Sequence, residues 1–127
     1  MRTLAREAVF KYIYSRLFNP SDEGLFAVLI KELNNDDKDF ATKLLTAIDN
    51  NQEKYLQTIE RLSIGYKLNR VFNVDKCVLM LGMAEFDTFK QTDIPVIIDE
   101  TVNLAGKFST ETSTDFVNGI MAEYVKE

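Results

Sequence analysis

The stretch VDKCVLMLGMAEFDTF, residues 74–89, decides the fold of this chain. It is apolar on nearly every side of a helix, and so it predicts a helix from Asp75 to about Phe89 at the centre of the structure. Amphipathic patterns at helical spacing occur on both sides of it. No segment alternates apolar and polar residues convincingly, which argues against β-strands. We therefore predict an all-α fold of six to seven helices.

Before the central helix, the pattern predicts three others. The first runs from Thr3 to Phe18, and the second carries its apolar face between Leu25 and Leu33. A third, capped by Asp36 or Asp37, continues through a polar patch at residues 49–52. This segment forms either one long kinked helix or two separate helices. A connection at residues 63–73, with a short helix or turn from Leu68 to Phe72, is the weakest seam of the fold.

After the central helix, Asp93-Ile94-Pro95 breaks the chain, because the residue before proline is pushed out of helical geometry. Helices are predicted from about Val96 to Lys107 and from about Thr114 to Lys126, with a polar linker at residues 109–113. Gly119 lies inside the last helix, where glycine costs about 1 kcal/mol relative to alanine. Close packing against a neighbouring helix is the simplest explanation for this glycine.

Composition limits the classes of function. The 127 residues fit one domain, residues 1–127, with a net charge of −5 that argues against coating nucleic acid by charge alone. There is no histidine, so the commonest general base and metal ligand is absent, and no phosphate-binding loop is present. We expect no enzyme, no catalytic residues, no metal and no cofactor. The single cysteine, Cys77, is predicted to be a buried apolar residue in a reducing cytoplasm, and no stretch indicates a signal peptide or a membrane span.

Local positive charge is concentrated in the first helix. At 100° per residue, Arg2, Arg6 and Arg16 fall on one side, where they could hold the phosphates of an RNA strand. Alternatively, Arg6 lies beside the apolar arc and pairs with a carboxylate at the edge of the core. Tyr14 projects off the apolar arc and could stack on a base or anchor a protein partner.

Six fragments occur in an order that resembles the NusB family of bacterial transcription antitermination factors. They are Ala5-Arg6-Glu7, Leu68-Asn69-Arg70, Val74-Asp75-Lys76-Cys77, Ala84-Glu85-Phe86, Asp93-Ile94-Pro95 and Phe116-Val117-Asn118-Gly119. The resemblance covers nearly the whole chain and is strongest from Leu68 onward. It implies an all-helical fold of two small packed subdomains.

The resemblance also implies a function. Members of the family bind boxA, a short single-stranded RNA element, together with the ribosomal protein NusE. The pair helps the transcription elongation complex to read through terminators, notably in rRNA operons. A NusB-like domain also occurs fused to an rRNA cytosine methyltransferase, but no cofactor-binding half accompanies the domain here, so we expect the free-standing factor.

Individual roles follow from the resemblance. Phe116 and Asn118 would lie near the RNA, and Tyr14 and Asp75 would face NusE. The alternatives are that Phe116 fills the core and that Asp75 is a cap or first-turn acid of its own helix. Thr3 and Leu4 occupy positions where arginines are common in the family, which reduces the expected RNA affinity.

The rival interpretation is a helical protein-interaction or assembly module from which the RNA face has been lost. Self-association as a homodimer stays open in either case. The carboxylates of the last third show no spacing that singles out a catalytic pair, and we interpret them as a solvated surface.

Overall fold

The computed structural model describes residues 2–20, 22, 24–63 and 71–127. This part of the chain contains α-helices and no β-strand, as predicted. The helices are α1 (Thr3–Ser15), α2 (Leu25–Ile30), α3 (Asn35–Leu62), α4 (Asn73–Thr88), α5 (Ile94–Phe108) and α6 (Glu111–Tyr124). Residues 68–70 of the predicted short helix or turn lie outside the described residues.

The third helix is a single kinked element, which was one of the two predicted forms. Asn51 has φ −130° and ψ 15°, outside helical geometry, and its side-chain amide donates to the carbonyl oxygen of Ala47 at 2.9 Å. The predicted cap was wrong, because Asn34 caps this helix and accepts a hydrogen bond from the backbone N–H of Asp37 at 2.8 Å. Asp36 and Asp37 are instead in the first turn, where their negative charges interact favourably with the positive end of the helix dipole.

Both C-terminal helices begin earlier than predicted. Pro95 lies in the first turn of α5, where its missing N–H costs nothing because the first N–H groups of a helix have no intrahelical partner. Thr110 caps α6 and accepts from the N–H of Ser113, so the second half of the predicted linker is helical. Hydroxyl side chains that looked like a linker are therefore the start signal of a helix.

Helix α4 lies at the centre, as its apolar sequence predicted, and contacts α1, α3, α5 and α6. It runs antiparallel to α1, since Arg2 lies over Phe89 at the end of α4 and Arg6 meets Glu85 one turn earlier. Helix α1 also contacts α2 and α3, helix α3 also contacts α6, and helix α5 packs on α4 and α6. The all-α fold of six helices confirms the predicted fold class.

Polar contacts also hold α4 in place. The carboxylate of Asp87 accepts hydrogen bonds from Tyr55 of α3 at 2.9 Å and from Tyr124 of α6 at 2.7 Å. Both tyrosines are buried, so one carboxylate connects three helices at the edge of the core. None of the helices among the described residues has the length and apolar character needed to cross a membrane.

Candidate functional site

Arg6 is an interior residue, with 4% of its surface exposed. Its Nε and Nη2 donate to the two carboxylate oxygens of Glu85, both at 2.7 Å, and its Nη1 lies 3.6 Å from Glu100. Burial alone would lower the pKa of Arg6, but the hydrogen bonds and charge of Glu85, with the charge of Glu100, raise it above its ordinary value. This burial does not fit the RNA-binding role predicted for Arg6. The structure shows the ion pair that was the alternative.

Arg16 does not contribute a free positive charge to the predicted basic stripe either. Its guanidinium donates to Asp49 on α3 at 2.8 Å and lies 5.1 Å from the centre of the Tyr12 ring. Its charge is therefore balanced by a neighbouring helix. Two of the three arginines expected to line one side of α1 are thus engaged within the protein, and the predicted stripe is not formed.

Arg2 is exposed and keeps its charge available. Its guanidinium lies over the ring of Phe40, 4.4 Å from the centroid, and 5.7 Å from that of Phe89. No carboxylate of the described residues forms an ion pair with it. Stacking on an aromatic ring orients an arginine without neutralising it. Arg2 is therefore a suitable phosphate ligand.

A row of aromatic rings follows α1 toward its C-terminal end. Phe10 stacks on Phe108 of α5 with centroids 4.8 Å apart, Tyr14 lies 5.8 Å from Phe10, and Phe18 lies 5.4 Å from Tyr14. Exposure increases along the row, because Phe10 is buried, Tyr14 is half-buried and Phe18 is 69% exposed. The outer part, Tyr14 and Phe18, is an apolar surface of the kind that anchors protein partners.

Asp75 is buried, with 3% of its surface exposed, in the first turn of α4. Its Oδ2 accepts from the hydroxyl of Ser113 at 2.9 Å, and its Oδ1 has no hydrogen-bond partner within the described chain. The burial does not fit the prediction that Asp75 presents its carboxylate to a partner. It fits the alternative of a first-turn acid, which here also positions the start of α6.

Ser113 was missed as a member of this region. Besides donating to Asp75, its hydroxyl lies 2.9 Å from that of Ser109 and 3.0 Å from that of Thr110. Thr110 is a residue type that caps helices and Glu111 follows it in the first turn, so the sequence allowed a helix start here as well as a linker. The contact of Ser113 with Asp75 could not be predicted, because 38 residues separate the two in the chain.

The two remaining predicted RNA residues lie further along α6. Phe116 is half-buried and packs against the core, whereas Asn118 is exposed. Both roles stay predictions. No group of three or more cysteine, aspartate or glutamate side chains suited to hold a metal occurs among the described residues.

Comparison with known proteins identifies the family. The model of the NusB family matches residues 2–126. A transcription antitermination protein NusB from Natranaerobius thermophilus is 30% identical over 132 residues, covering 99% of this chain and 95% of the relative. A second protein of the same name, from Acetivibrio thermocellus, is 34% identical and covers 98% of this chain and 88% of the relative. The chain therefore belongs to the NusB family.

Solved structures agree with this assignment. NusB from T. maritima superposes with a TM-score of 0.92 at 30% identity, covering all of this chain and 92% of that one. A second similar structure is described as the antitermination factors NusB and NusE in complex with double-stranded RNA. It has a TM-score of 0.85 and 26% identity, and covers 98% of this chain and 96% of that one.

Proposed function

We propose that this protein is a transcription antitermination factor that binds boxA-type RNA together with the ribosomal protein NusE. The observation that carries the proposal is the family match over residues 2–126, with relatives named transcription antitermination protein NusB along nearly the whole chain. A solved NusB that superposes closely on this fold is in complex with NusE and RNA. In the cell, the protein would act in the cytoplasm with the transcription elongation complex.

For RNA, the surface offers little charge. Arg2 is the free cation at the start of α1, and Asn118 is an exposed amide that can bond to a base or a phosphate. Phe116 offers part of a ring for stacking on an unpaired base. Arg6 and Arg16 are paired with carboxylates of the protein itself. The protein therefore presents few free cations to RNA, and its net charge is −5. We therefore expect weak binding to RNA by the protein alone.

For the partner, the surface offers Tyr14 and Phe18 at the C-terminal end of α1. A half-buried tyrosine beside a largely exposed phenylalanine supplies apolar area at low entropic cost. Asp75 is buried and would act indirectly, by fixing the start of α6 through Ser113. Ribosomal proteins are basic, so a bound NusE adds positive charge beside an acidic protein and should raise the affinity for RNA.

The test is a titration of labelled boxA-like RNA with the protein alone, with NusE alone and with both. We expect the mixture to bind more tightly than either component, and a scrambled RNA of the same length to bind less tightly. Asn118→Ala should weaken binding to the specific RNA, whereas Asn50→Ala, at another exposed amide on α3, should not. Equal affinity with and without NusE would contradict cooperative recognition.

A second function has one observation in its favour. Arg6 and Arg16 form ion pairs with carboxylates of the protein, so they contribute little positive charge to the surface. This favours a module that binds NusE or another protein without binding RNA. In that case the mixture with NusE would form a complex but would not bind RNA even at low salt. In either case we propose a non-enzymatic role, since the chain has no histidine and its single cysteine is buried.

A further inference from the structure

A cleft of about 300 Å³ lies between the start of α1 and the loop that joins α4 to α5. Its walls are Arg2, Thr88, Phe89, Lys90, Gln91 and Thr92. Two of these side chains are cationic, and three others end in hydroxyl or amide groups that donate hydrogen bonds. A cleft of this composition fits a phosphate group, whose oxygens accept such bonds.

Aromatic rings, not carboxylates, hold both cations of the cleft. The guanidinium of Arg2 lies over Phe40, and the ammonium of Lys90 lies 4.9 Å from the centre of the Phe86 ring. Neither cation forms an ion pair with a carboxylate of the described residues. Among the other described cations, Lys11, Lys31, Lys38 and Lys76 also form no ion pair, but only Arg2 and Lys90 line the cleft.

The lining of the cleft contains two cations and no carboxylate. The neighbouring carboxylates Glu85 and Glu100 pair with Arg6, one turn from Arg2, and Asp87 accepts hydrogen bonds from Tyr55 and Tyr124. Asp93, which follows Thr92 in the chain, is exposed and forms no ion pair with a described cation. Arg2 and Lys90 can therefore both donate to the oxygens of one phosphodiester.

We propose that the cleft between Arg2 and Lys90 binds a backbone phosphate of the RNA, which extends the RNA surface onto the loop between α4 and α5. This inference rests on the proposed function. Thr88, Gln91 and Thr92 supply donors around the phosphate, and the rings beneath the two cations keep their side chains in place. Lys90 is thus an RNA contact that the sequence pattern did not indicate.

The cleft is remote from the aromatic surface proposed for NusE. Arg2 and Tyr14 are twelve residues apart on one helix, which corresponds to about 18 Å at 1.5 Å per residue. A change in the cleft should therefore alter the affinity for RNA and leave the affinity for NusE unchanged. That separation makes the inference testable apart from the partner interaction.

The experiment measures binding of labelled single-stranded boxA-like RNA to the complex with NusE over a series of salt concentrations. Lys90→Gln and Arg2→Gln should each weaken binding several-fold and reduce the slope of log affinity against log salt by about 0.7, the value for one phosphate contact on a single strand. The double variant should lose less than the sum, because both residues bind one phosphate. Lys31→Gln, at an exposed lysine beyond α2, is the matched control.

The outcomes separate the two proposals. If the wild-type complex binds RNA and Lys90→Gln behaves like Lys31→Gln, the phosphate-binding role of the cleft is wrong and the proposed function still stands. Absence of RNA binding by the wild-type complex would overturn both. Lys90→Arg should keep the slope, and NusE affinity measured without RNA should be the same for every variant. A parallel loss of NusE binding in Lys90→Gln would show damage to the fold and contradict a local role.

Discussion

Arg6 is a charged residue whose role is set by its burial. Its two hydrogen bonds to Glu85 hold an ion pair in which both side chains are at most 5% exposed. Removing one partner of such a pair leaves a buried charge without compensation, which costs about 3–5 kcal/mol. We therefore expect Arg6→Met to lower the free energy of unfolding by about that amount, measured by urea denaturation.

Two further variants test this explanation. Arg16→Met removes a more exposed partner of Asp49 and should change the free energy of unfolding by no more than about 1 kcal/mol. Replacing both Arg6 and Glu85 by methionine should recover much of the loss, since the buried Glu85 carboxylate is then no longer left without its partner. An Arg6→Met protein as stable as wild type would contradict the structural role.

What the sequence could predict about Arg6 was its angular position beside the apolar arc. Whether such an arginine points to solvent or into an ion pair depends on a carboxylate 79 residues away in the chain. Asp75 shows the same limit, because its burial depends on the packing of α6 over the start of α4. Tyr14 is different, since its position off the arc predicted the half-exposed ring that the structure shows.

At the scale of helices, two glycines have opposite roles. A Cβ at Gly82 of α4 would lie 2.6 Å from Oγ1 and 2.8 Å from Cγ2 of Thr101, and 3.1 Å from Met121. At this position α5 and α6 both lie close to α4. Gly119 was expected to be such a contact, but it is exposed and a Cβ there would meet nothing within 4 Å. The packing prediction for Gly119 was therefore wrong.

Alanine at each glycine should have effects of opposite sign. Gly119→Ala should raise the free energy of unfolding by up to about 1 kcal/mol, because alanine favours a helix interior. Gly82→Ala should lower it by about 1–3 kcal/mol, because Thr101 is buried and must shift. Thermal or urea unfolding of both variants decides the matter, and a stabilising Gly82→Ala would contradict the close approach of the three helices.

Most helices could be predicted, because apolar residues recur at helical spacing regardless of tertiary context. The ends were less predictable, since a cap depends on which of several polar residues adopts extended geometry. Asn34 does so at α3, although Asp36 and Asp37 are equally suited by type. At α6 the sequence of hydroxyl residues fits both a linker and a capped first turn, and the contact of Ser113 with Asp75 favours the helix.

Across the described core, the surroundings of Cys77, Tyr55 and Tyr124 favour the protonated form of each group. Burial raises the pKa of Cys77 from 9.0 to about 12. Burial, and hydrogen bonds donated to the Asp87 carboxylate, raise the pKa values of Tyr55 and Tyr124 above 10.0, their ordinary value. These groups lie on α3, α4 and α6, so the raised pKa values result from the packing of several helices and not from one local site.

The pH dependence of stability follows from the direction of these shifts. Below about pH 9 all three groups are protonated in the folded and unfolded chains, and the contribution to stability is constant. Above that pH the unfolded chain releases its protons first, because only the folded state has raised pKa values. The free energy of unfolding should therefore fall as pH rises, by up to about 1.4 kcal/mol per pH unit for each such group.

Urea denaturation at a series of pH values from neutral to strongly alkaline measures this decline. Cys77→Ala should remove the part that begins near pH 9, and Tyr124→Phe should reduce the part that begins near pH 10. Both variants are expected to be less stable at neutral pH, through lost packing or a lost hydrogen bond, so the slope and not the absolute value is compared. A wild-type stability that stays constant through pH 11 would contradict the protonated interior, because a raised pKa in the folded state requires the decline.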